Sequence, residues 1–396
     1  MNSKKKIAIV STRFSDRIAG GAERHALKFA LLMSEKYEVT VLTTTALDYK
    51  TWKNEIESGE SFIQDIKIIR FRVDKSRNIK KFNRLLDKIH QKKISWNSKT
   101  TDLWLQKQGP FSEKLVQFID KNQNQFDLFF FVSYLYYPTV KGIQKIKNKS
   151  ICLPTLHDEI PAYFPIYKES FTNEIVYSFN TIEELLLFKR IFGFQPDRFS
   201  VIGVNVDKDI QCNPEEFYLL ENSILDSDVK DYAVYIGRFD AGKGIYELVE
   251  FFREWKNNSA IDMKLIFIGD DSFRDRDIIS VGYVSENEKS CLLQKAKFLI
   301  NPSSLESFSI VLMEAWINKT PVVVNAKSEV MVGHCIRSNG GLYYSDKESF
   351  CKILDYLTEN ESIRKKLGEN GEKYVLKNYS TETVKEKLFC LIDSCI

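Results

Sequence analysis

No run of about 18 uninterrupted apolar residues occurs in the chain, so no segment can form a membrane-spanning helix. The apolar run after Met1-Asn2-Ser3-Lys4-Lys5-Lys6 extends only from Ile7 to Val10, too short for a signal-peptide core. The expectation is a protein neither secreted by that route nor integral to a membrane. No Cys-x-x-Cys pair is present among Cys152, Cys212, Cys291, Cys335, Cys351, Cys390 and Cys395, and seven is an odd number. This speaks against a disulfide framework and a structural zinc site, and for a reducing cytosol. Net charge is only +3, so nothing global calls for nucleic acid, and no recognition motif for it is present. The dinucleotide fingerprint Gly-x-Gly-x-x-Gly and the Walker spacing are also missing.

What is there suits a soluble α/β protein. The 396 residues exceed one ordinary core and imply two domains. Hydrophobic residues make up 43% and aromatics 13%, enough to fill both. Short apolar runs alternate with amphipathic stretches. Strands are expected at Ile7–Ser11, Tyr37–Thr43, Ile66–Phe71, Asp127–Val132, Ser150–Leu156 and Ser200–Val204, with a helix at Ala22–Ser34. The rhythm pauses in a polar stretch over 205–230 and restarts at Tyr232–Ile236. Helix Ile245–Trp255, strand Lys264–Ile268, helix Glu286–Ala296, strand Phe298–Ile300, helix Ser309–Ile317 and strand Pro321–Val324 follow. This pattern gives parallel sheets covered by helices on both faces. After about Ser345 the chain reads as helical, with turns expected at Gly368 and Gly371 and a last helix over Glu382–Asp393.

Ligands of doubly wound sheets sit beyond the carboxyl ends of the strands. Three unusual segments fall there. Gly20-Gly21 follows the first strand and opens the first helix, where glycines let a phosphate approach backbone N–H groups. Ile236-Gly237-Arg238-Phe239-Asp240-Ala241-Gly242-Lys243-Gly244 follows the first strand of the second domain, and its Arg238 and Lys243 can converge on a diphosphate. In Asn301-Pro302-Ser303-Ser304-Leu305-Glu306-Ser307-Phe308-Ser309-Ile310-Val311-Leu312-Met313-Glu314, Glu306 lies in a loop and Glu314 in the helix that follows. Glu314 can accept two ribose hydroxyls, and the helix N-terminus suits a phosphate. Its neighbours are apolar, where a charge is costly without a partner.

With these residues the sequence resembles the retaining glycosyltransferases of family 4. The resemblance covers nearly the whole chain, with Gly20-Gly21, His157, Gly237-Arg238, Lys243, Glu306 and Glu314 in the family's order. It implies the GT-B architecture: an α/β chain of two facing Rossmann-like doubly wound domains with a cleft between them. On this reading residues 1–205 bind the acceptor, 206–375 bind the nucleotide sugar, and a helix over 376–396 packs back on the first domain. The resemblance gives Arg238 and Lys243 the donor diphosphate, Glu306 the donor sugar ring and Glu314 the ribose. It gives the backbone of Ser307, Phe308, Ser309, Ile310 and Val311 the sugar hydroxyls and phosphates, Tyr283 and Val284 the base, and His157 the reaction centre. It implies front-face attack with retention, no metal and no cofactor. Here Ser307-Phe308-Ser309 stands where the family often has Gly-Phe-Gly, which bears on the donor hydroxyls read.

The expected activity is transfer of a sugar from GDP-mannose or a UDP-hexose to a carbohydrate or lipid-linked oligosaccharide, in bacterial O-antigen or capsule synthesis. A soluble-glycoside synthase and a non-catalytic scaffold of an assembly complex are the alternatives. Between residues 75 and 107, Lys75, Arg77, Lys80, Lys81, Arg84, Lys88, Lys92, Lys93, Lys99 and Lys107 are interleaved with Phe82, Trp96 and Trp104. Such a surface suits an anionic membrane, which would make a cytoplasmic protein peripheral on the inner face of the plasma membrane.

Overall fold

The computed structural model describes residues 4–15, 20–91, 96–206, 212–213, 215, 231–269, 273 and 275–396. The chain divides into two compact units. One comprises Met1–Val204 with Lys385–Ile396, the other Asn205–Val384. The polar stretch expected as a linker over 205–230 lies almost wholly outside the described residues, as do Lys92 and Lys93.

The first unit holds an eight-stranded sheet: β1 (Lys6–Val10), β2 (Glu38–Thr44), β3 (Gly59–Ile63), β4 (Ile66–Phe71), β5 (Leu128–Val132), β6 (Ser150–Leu153), β7 (Val176–Phe179) and β8 (Phe199–Val201). Their order is β3-β4-β2-β1-β5-β6-β7-β8. All pairs are parallel except β3–β4. Central strands such as β5, Leu-Phe-Phe-Phe-Val, are buried at every residue, as a sheet covered on both faces requires. The edge strand β3 is largely exposed and carries no apolar alternation, and it is absent from the sequence-derived elements for that reason. A tight turn with Gln64 at φ 50° joins it to β4.

The second unit holds β9 (Tyr232–Ile236), β10 (Lys264–Ile268), β11 (Ile278–Ser280), β12 (Leu299–Asn301), β13 (Val322–Asn325) and β14 (Gly341–Tyr344), in the order β11-β10-β9-β12-β13-β14. Both sheets reverse direction of growth at their first strand. β1 lies between β2 and β5, and β9 lies between β10 and β12. Loops leaving β9 and β12 are therefore neighbours at a switch point, where open α/β sheets bind ligands.

Three expectations need correction. The strand expected to run to Leu156 stops at Leu153, because Pro154 follows and Thr155 takes φ 49°. Gly368 and Gly371 do not break a helix; Glu361–Tyr379 runs through both. They are there for close approach. A Cβ on Gly368 would meet the Lys319 carbonyl carbon at 2.6 Å, and one on Gly371 the Trp316 indole Nε1 at 2.7 Å. Finally, one disulfide is present, Cys212–Cys291, with Cα atoms 4.6 Å apart. An odd cysteine count requires one unpaired thiol and does not forbid a pair. Cys152, Cys335, Cys351, Cys390 and Cys395 are free.

From Lys385 onward the last helix, Thr381–Asp393, is part of the first unit. Asp393 accepts from Tyr37 Oη at 2.8 Å, and Lys385 pairs with Glu35 at 3.0 Å. Among the described residues no helix is long and apolar enough to cross a membrane.

Candidate functional site

In the second unit the two loops at the switch point are locked together before any ligand is considered. Gly244 has φ 72°, and a Cβ there would sit 2.6 Å from the Pro302 carbonyl oxygen. Only glycine allows both the backbone angle and the contact. Asn325 Nδ2 donates to the same Pro302 carbonyl at 3.1 Å. Asn301 ties the far side of its loop: its Oδ1 accepts from Ser303 N at 3.1 Å, and its Nδ2 donates to Ser309 Oγ at 3.0 Å. Ser309 needs that support, because it caps helix Ile310–Ile317 at φ 64°, a region that strains a residue with a Cβ.

This scaffold brings Lys243 and Glu306 together. Lys243 Nζ donates to Glu306 Oε1 at 2.7 Å, with the carboxylate side chain 13% exposed. Arg238 stands on the same loop as Lys243 and is exposed, its Nε 3.7 Å from Asp240. The turn beneath it is held by Tyr235 Oη donating to the Arg238 carbonyl at 2.8 Å. Phe308 is buried, its ring edge-on to His334 and Tyr379. Its side chain anchors the loop, which leaves a backbone role for the run Ser307–Val311. His334 accepts or donates at Tyr374 Oη, 2.9 Å away, and burial pushes its pKa down to about 3, so it stays neutral.

Glu314, in the middle of Ile310–Ile317, is buried to 12% exposure and pairs with Lys289 at 2.9 Å. The charge that looked expensive among apolar neighbours has its partner on the adjacent helix, Glu286–Lys295. Sequence reasoning did not find Lys289. Its one signal is a lysine immediately ahead of the buried run Ser290–Leu293. Tyr283 is 75% exposed and Val284 half-buried, directly ahead of that helix and its Ser285–Glu288 capping box.

The other named residues lie in the first unit. His157 is half-buried just past β6, and its carbonyl accepts from Glu159 N at 2.9 Å. Its acidic neighbours are engaged elsewhere: Asp158 pairs with Arg190 at 2.9 Å, and Glu159 accepts from Tyr134 Oη at 2.8 Å. Behind the loop sits Glu184, a second residue missed in the sequence. Its carboxylate accepts from Leu156 N at 2.7 Å and Asn180 N at 2.6 Å, joining the ends of β6 and β7. Burial pushes its pKa up to about 8, against the pull of those two amide bonds. Gly20 and Gly21 do open helix Gly21–Ser34, as N-cap and first residue. The first turn already carries an anion, however. The buried Glu23 accepts from Arg13 Nε at 2.8 Å, and its carboxyl carbon lies 3.0 Å from where a Gly20 Cβ would be. A phosphate at Gly20-Gly21 would meet that fixed charge.

The basic stretch divides. Lys80, Lys81, Arg84, Lys88 and Lys99 are exposed, with Ile79, Trp96 and Leu103 among them. Arg77 is not part of that face. It donates to the Gln108 and Tyr49 carbonyls and stacks over Trp52 and Phe82, and burial lowers its pKa to about 10. Phe82 and Trp104 are core residues. Among the described residues no three His, Cys, Asp or Glu side chains gather as a metal site would need.

Residues 221–374 match the model of the family glycosyl transferases group 1. An uncharacterized glycosyltransferase of Methanocaldococcus jannaschii is 26% identical over 49% of this chain and 53% of its own length. The O-antigen chain mannosyltransferase of Salmonella typhimurium is 24% identical over 51% of this chain and 58% of its own. The chain thus spans about half the length of the curated relatives it matches. Among solved structures, Anabaena HepE in complex with UDP and glucose superposes with a TM-score of 0.71 at 14% identity, over 98% of this chain and 100% of that one. That likeness shows a shared fold, the two Rossmann-like units of GT-B glycosyltransferases. In the sequence of its second unit, the chain is similar to the glycosyl transferases group 1 family.

Proposed function

We propose that the chain transfers a hexose, with retention, from a nucleoside-diphosphate sugar to a carbohydrate acceptor. The carrying observation is the Lys243–Glu306 pair, 2.7 Å apart at the mouth of helix Ile310–Ile317, with Glu314 on that helix. A cation, a carboxylate and helix N–H groups at one switch point are what a diphosphate sugar needs.

In this reading Arg238 and Lys243 take the diphosphate and stabilise charge as it leaves. The backbone from Ser307 to Val311 adds N–H groups, and Glu314 holds the ribose. Glu306 orients the sugar ring, and His157 belongs beside the reaction centre. The acceptor hydroxyl attacks the anomeric carbon from the face the diphosphate departs, while the leaving phosphate oxygen takes its proton. The two cations do the electrostatic work, so no metal is assigned. The name of the Salmonella relative supports an acceptor in bacterial surface polysaccharide, and the UDP and glucose bound by the Anabaena protein support a nucleotide-sugar donor. The exposed basic face with Ile79, Trp96 and Leu103 supports docking on the inner face of an anionic membrane.

The test is a thermal-shift panel of UDP-glucose, GDP-mannose and their nucleotides without added metal. A ligand that binds the native state raises Tm. The expected result is a shift with one donor, lost in Arg238→Ala and Glu314→Ala. No shift with any nucleotide or nucleotide sugar would refute the reading.

A further inference from the structure

Lys289 is buried, 9% exposed, on helix Glu286–Lys295. A lysine is seldom buried without a reason, because its ammonium loses water that only a close partner replaces. Here Nζ reaches two carboxylates: Glu286 Oε2 at 2.7 Å, one turn back and half-exposed, and Glu314 Oε1 at 2.9 Å on the neighbouring helix. Side chains also fasten the two helices. Ser290 Oγ donates to Asn318 Oδ1 at 2.7 Å, Gln294 Nε2 to the same oxygen at 3.1 Å, and Asn318 Nδ2 to the Glu314 carbonyl at 2.8 Å. Glu314 is thus held at its main chain by Asn318 and at its carboxylate by Lys289.

We propose that Lys289 is a positioning residue that aims the Glu314 carboxylate at the ribose hydroxyls, and so sets the preference of this site for ribonucleotides over 2′-deoxyribonucleotides. This rests on the ribose role proposed above for Glu314. A carboxylate has about four lone-pair positions. It can hold the ammonium at one oxygen and still accept from a diol. Charge-assisted bonds of this kind are strongly directional, so a carboxylate swung out of line loses the ribose contact while the base and phosphate contacts stay. The lysine also stands on the helix that starts just after Tyr283-Val284, the segment assigned to the base, so one element would register base and sugar together.

The experiment is calorimetric titration of the full-length chain with UDP, GDP and their 2′-deoxy counterparts. Wild type is expected to prefer the ribonucleotide by about tenfold, one charge-assisted hydrogen bond. Lys289→Met is expected to bring that ratio to within about twofold, with 2′-deoxy binding nearly unchanged, and the Lys289→Met/Glu314→Gln double variant to show no further fall. Lys289→Gln serves if the methionine variant does not fold. Equal weakening of ribo and deoxy forms by the lysine variants would overturn the proposal and leave Lys289 a strut. A ratio that collapses in Glu314→Gln but persists in both lysine variants would overturn it while leaving the ribose role intact. No ribose preference in wild type, or one unaffected by Glu314→Gln, would remove the ribose role and the proposal with it.

Discussion

Gly371→Ala pits helix propensity against packing at a place where the structure decides the sign. Gly371 lies inside the long helix Glu361–Tyr379. On an exposed helix the change would gain about 1 kcal/mol. Here the new methyl would point into Trp316, with indole Nε1 at 2.7 Å and two ring carbons nearer still, where van der Waals contact needs about 3.5–4 Å. Trp316 is fully buried, its Nε1 donates to the Gly340 carbonyl at 2.8 Å, and the rings of His334 and Tyr374 flank it. It has no room to step back, so helix must part from helix. Overpacking of this kind costs typically about 1–3 kcal/mol beyond any propensity gain. For a unit of this size each kcal/mol moves Tm by roughly 2–4 °C, so a fall of about 2–12 °C is expected by calorimetry. The shift should carry into ligand binding, because Trp316 is two residues from Glu314 on the same helix. Gly21→Ala is the control, since a Cβ there meets nothing within 4 Å, and its Tm should hold or rise. A Gly371→Ala protein with Tm at or above wild type would refute the close-approach argument.

Glu184 makes stability depend on pH. Its folded pKa, about 8, is above the ordinary 4.5, so the neutral acid is favoured in the fold, and stability present below pH 4.5 is lost as pH rises toward 8. At about 1.4 kcal/mol per unit this amounts to roughly 4–5 kcal/mol. The urea midpoint of wild type should fall relative to that of Glu184→Gln as pH rises from 5 to 8, and parallel profiles would dismiss the effect. Gly244→Ala must accommodate both φ 72° and the Pro302 carbonyl, so it is expected to lower Tm and to weaken UDP or GDP binding at least tenfold; unchanged titration curves would show that the two loops are not coupled.

The architecture was legible where burial is complete. Strands Tyr232–Ile236 and Lys264–Ile268 sit where their apolar runs place them, because a strand covered on both faces has no polar alternation to confuse it. The edge strand Gly59–Ile63 could not be read, since its side chains are largely exposed and its pairing with Ile66–Phe71 leaves no apolar pattern in the sequence. Gly368 and Gly371 were misread for a similar reason. In sequence a glycine that turns the chain and a glycine that admits a neighbouring helix are the same letter, and only Lys319 and Trp316 tell them apart. Motif residues stood out as candidates, because Arg238, Lys243, Glu306 and Glu314 are polar at strand ends and on a helix where apolar residues would be the default, and the structure pairs Lys243 with Glu306. Their other partners did not stand out. Lys289 and Glu184 are ordinary helix residues until a second element, distant in sequence, is folded against them.

The two lysine–carboxylate pairs of the second unit have opposite physical characters, and the proposed reaction needs both. Lys243 is 29% exposed and stands on a loop closed by Gly244. The difference lies at the ammonium, which keeps water when it turns from Glu306, itself 13% exposed, toward a diphosphate. Lys289 and Glu314 are 9% and 12% exposed. Breaking that pair would strand a charge away from water, a cost of about 3–5 kcal/mol, so it stays made when ligand arrives. In the proposed reaction the site therefore combines a cation that can change partners, where negative charge develops and departs, with a carboxylate that cannot, where the nucleoside must be registered. Swapping the two would fail at both ends. A fixed ammonium could not follow the leaving phosphate, and a mobile carboxylate would give the ribose no fixed place. The chain sets this difference by where each lysine is attached: one on a glycine-closed loop at the sheet's switch point, the other on a helix packed against its neighbour.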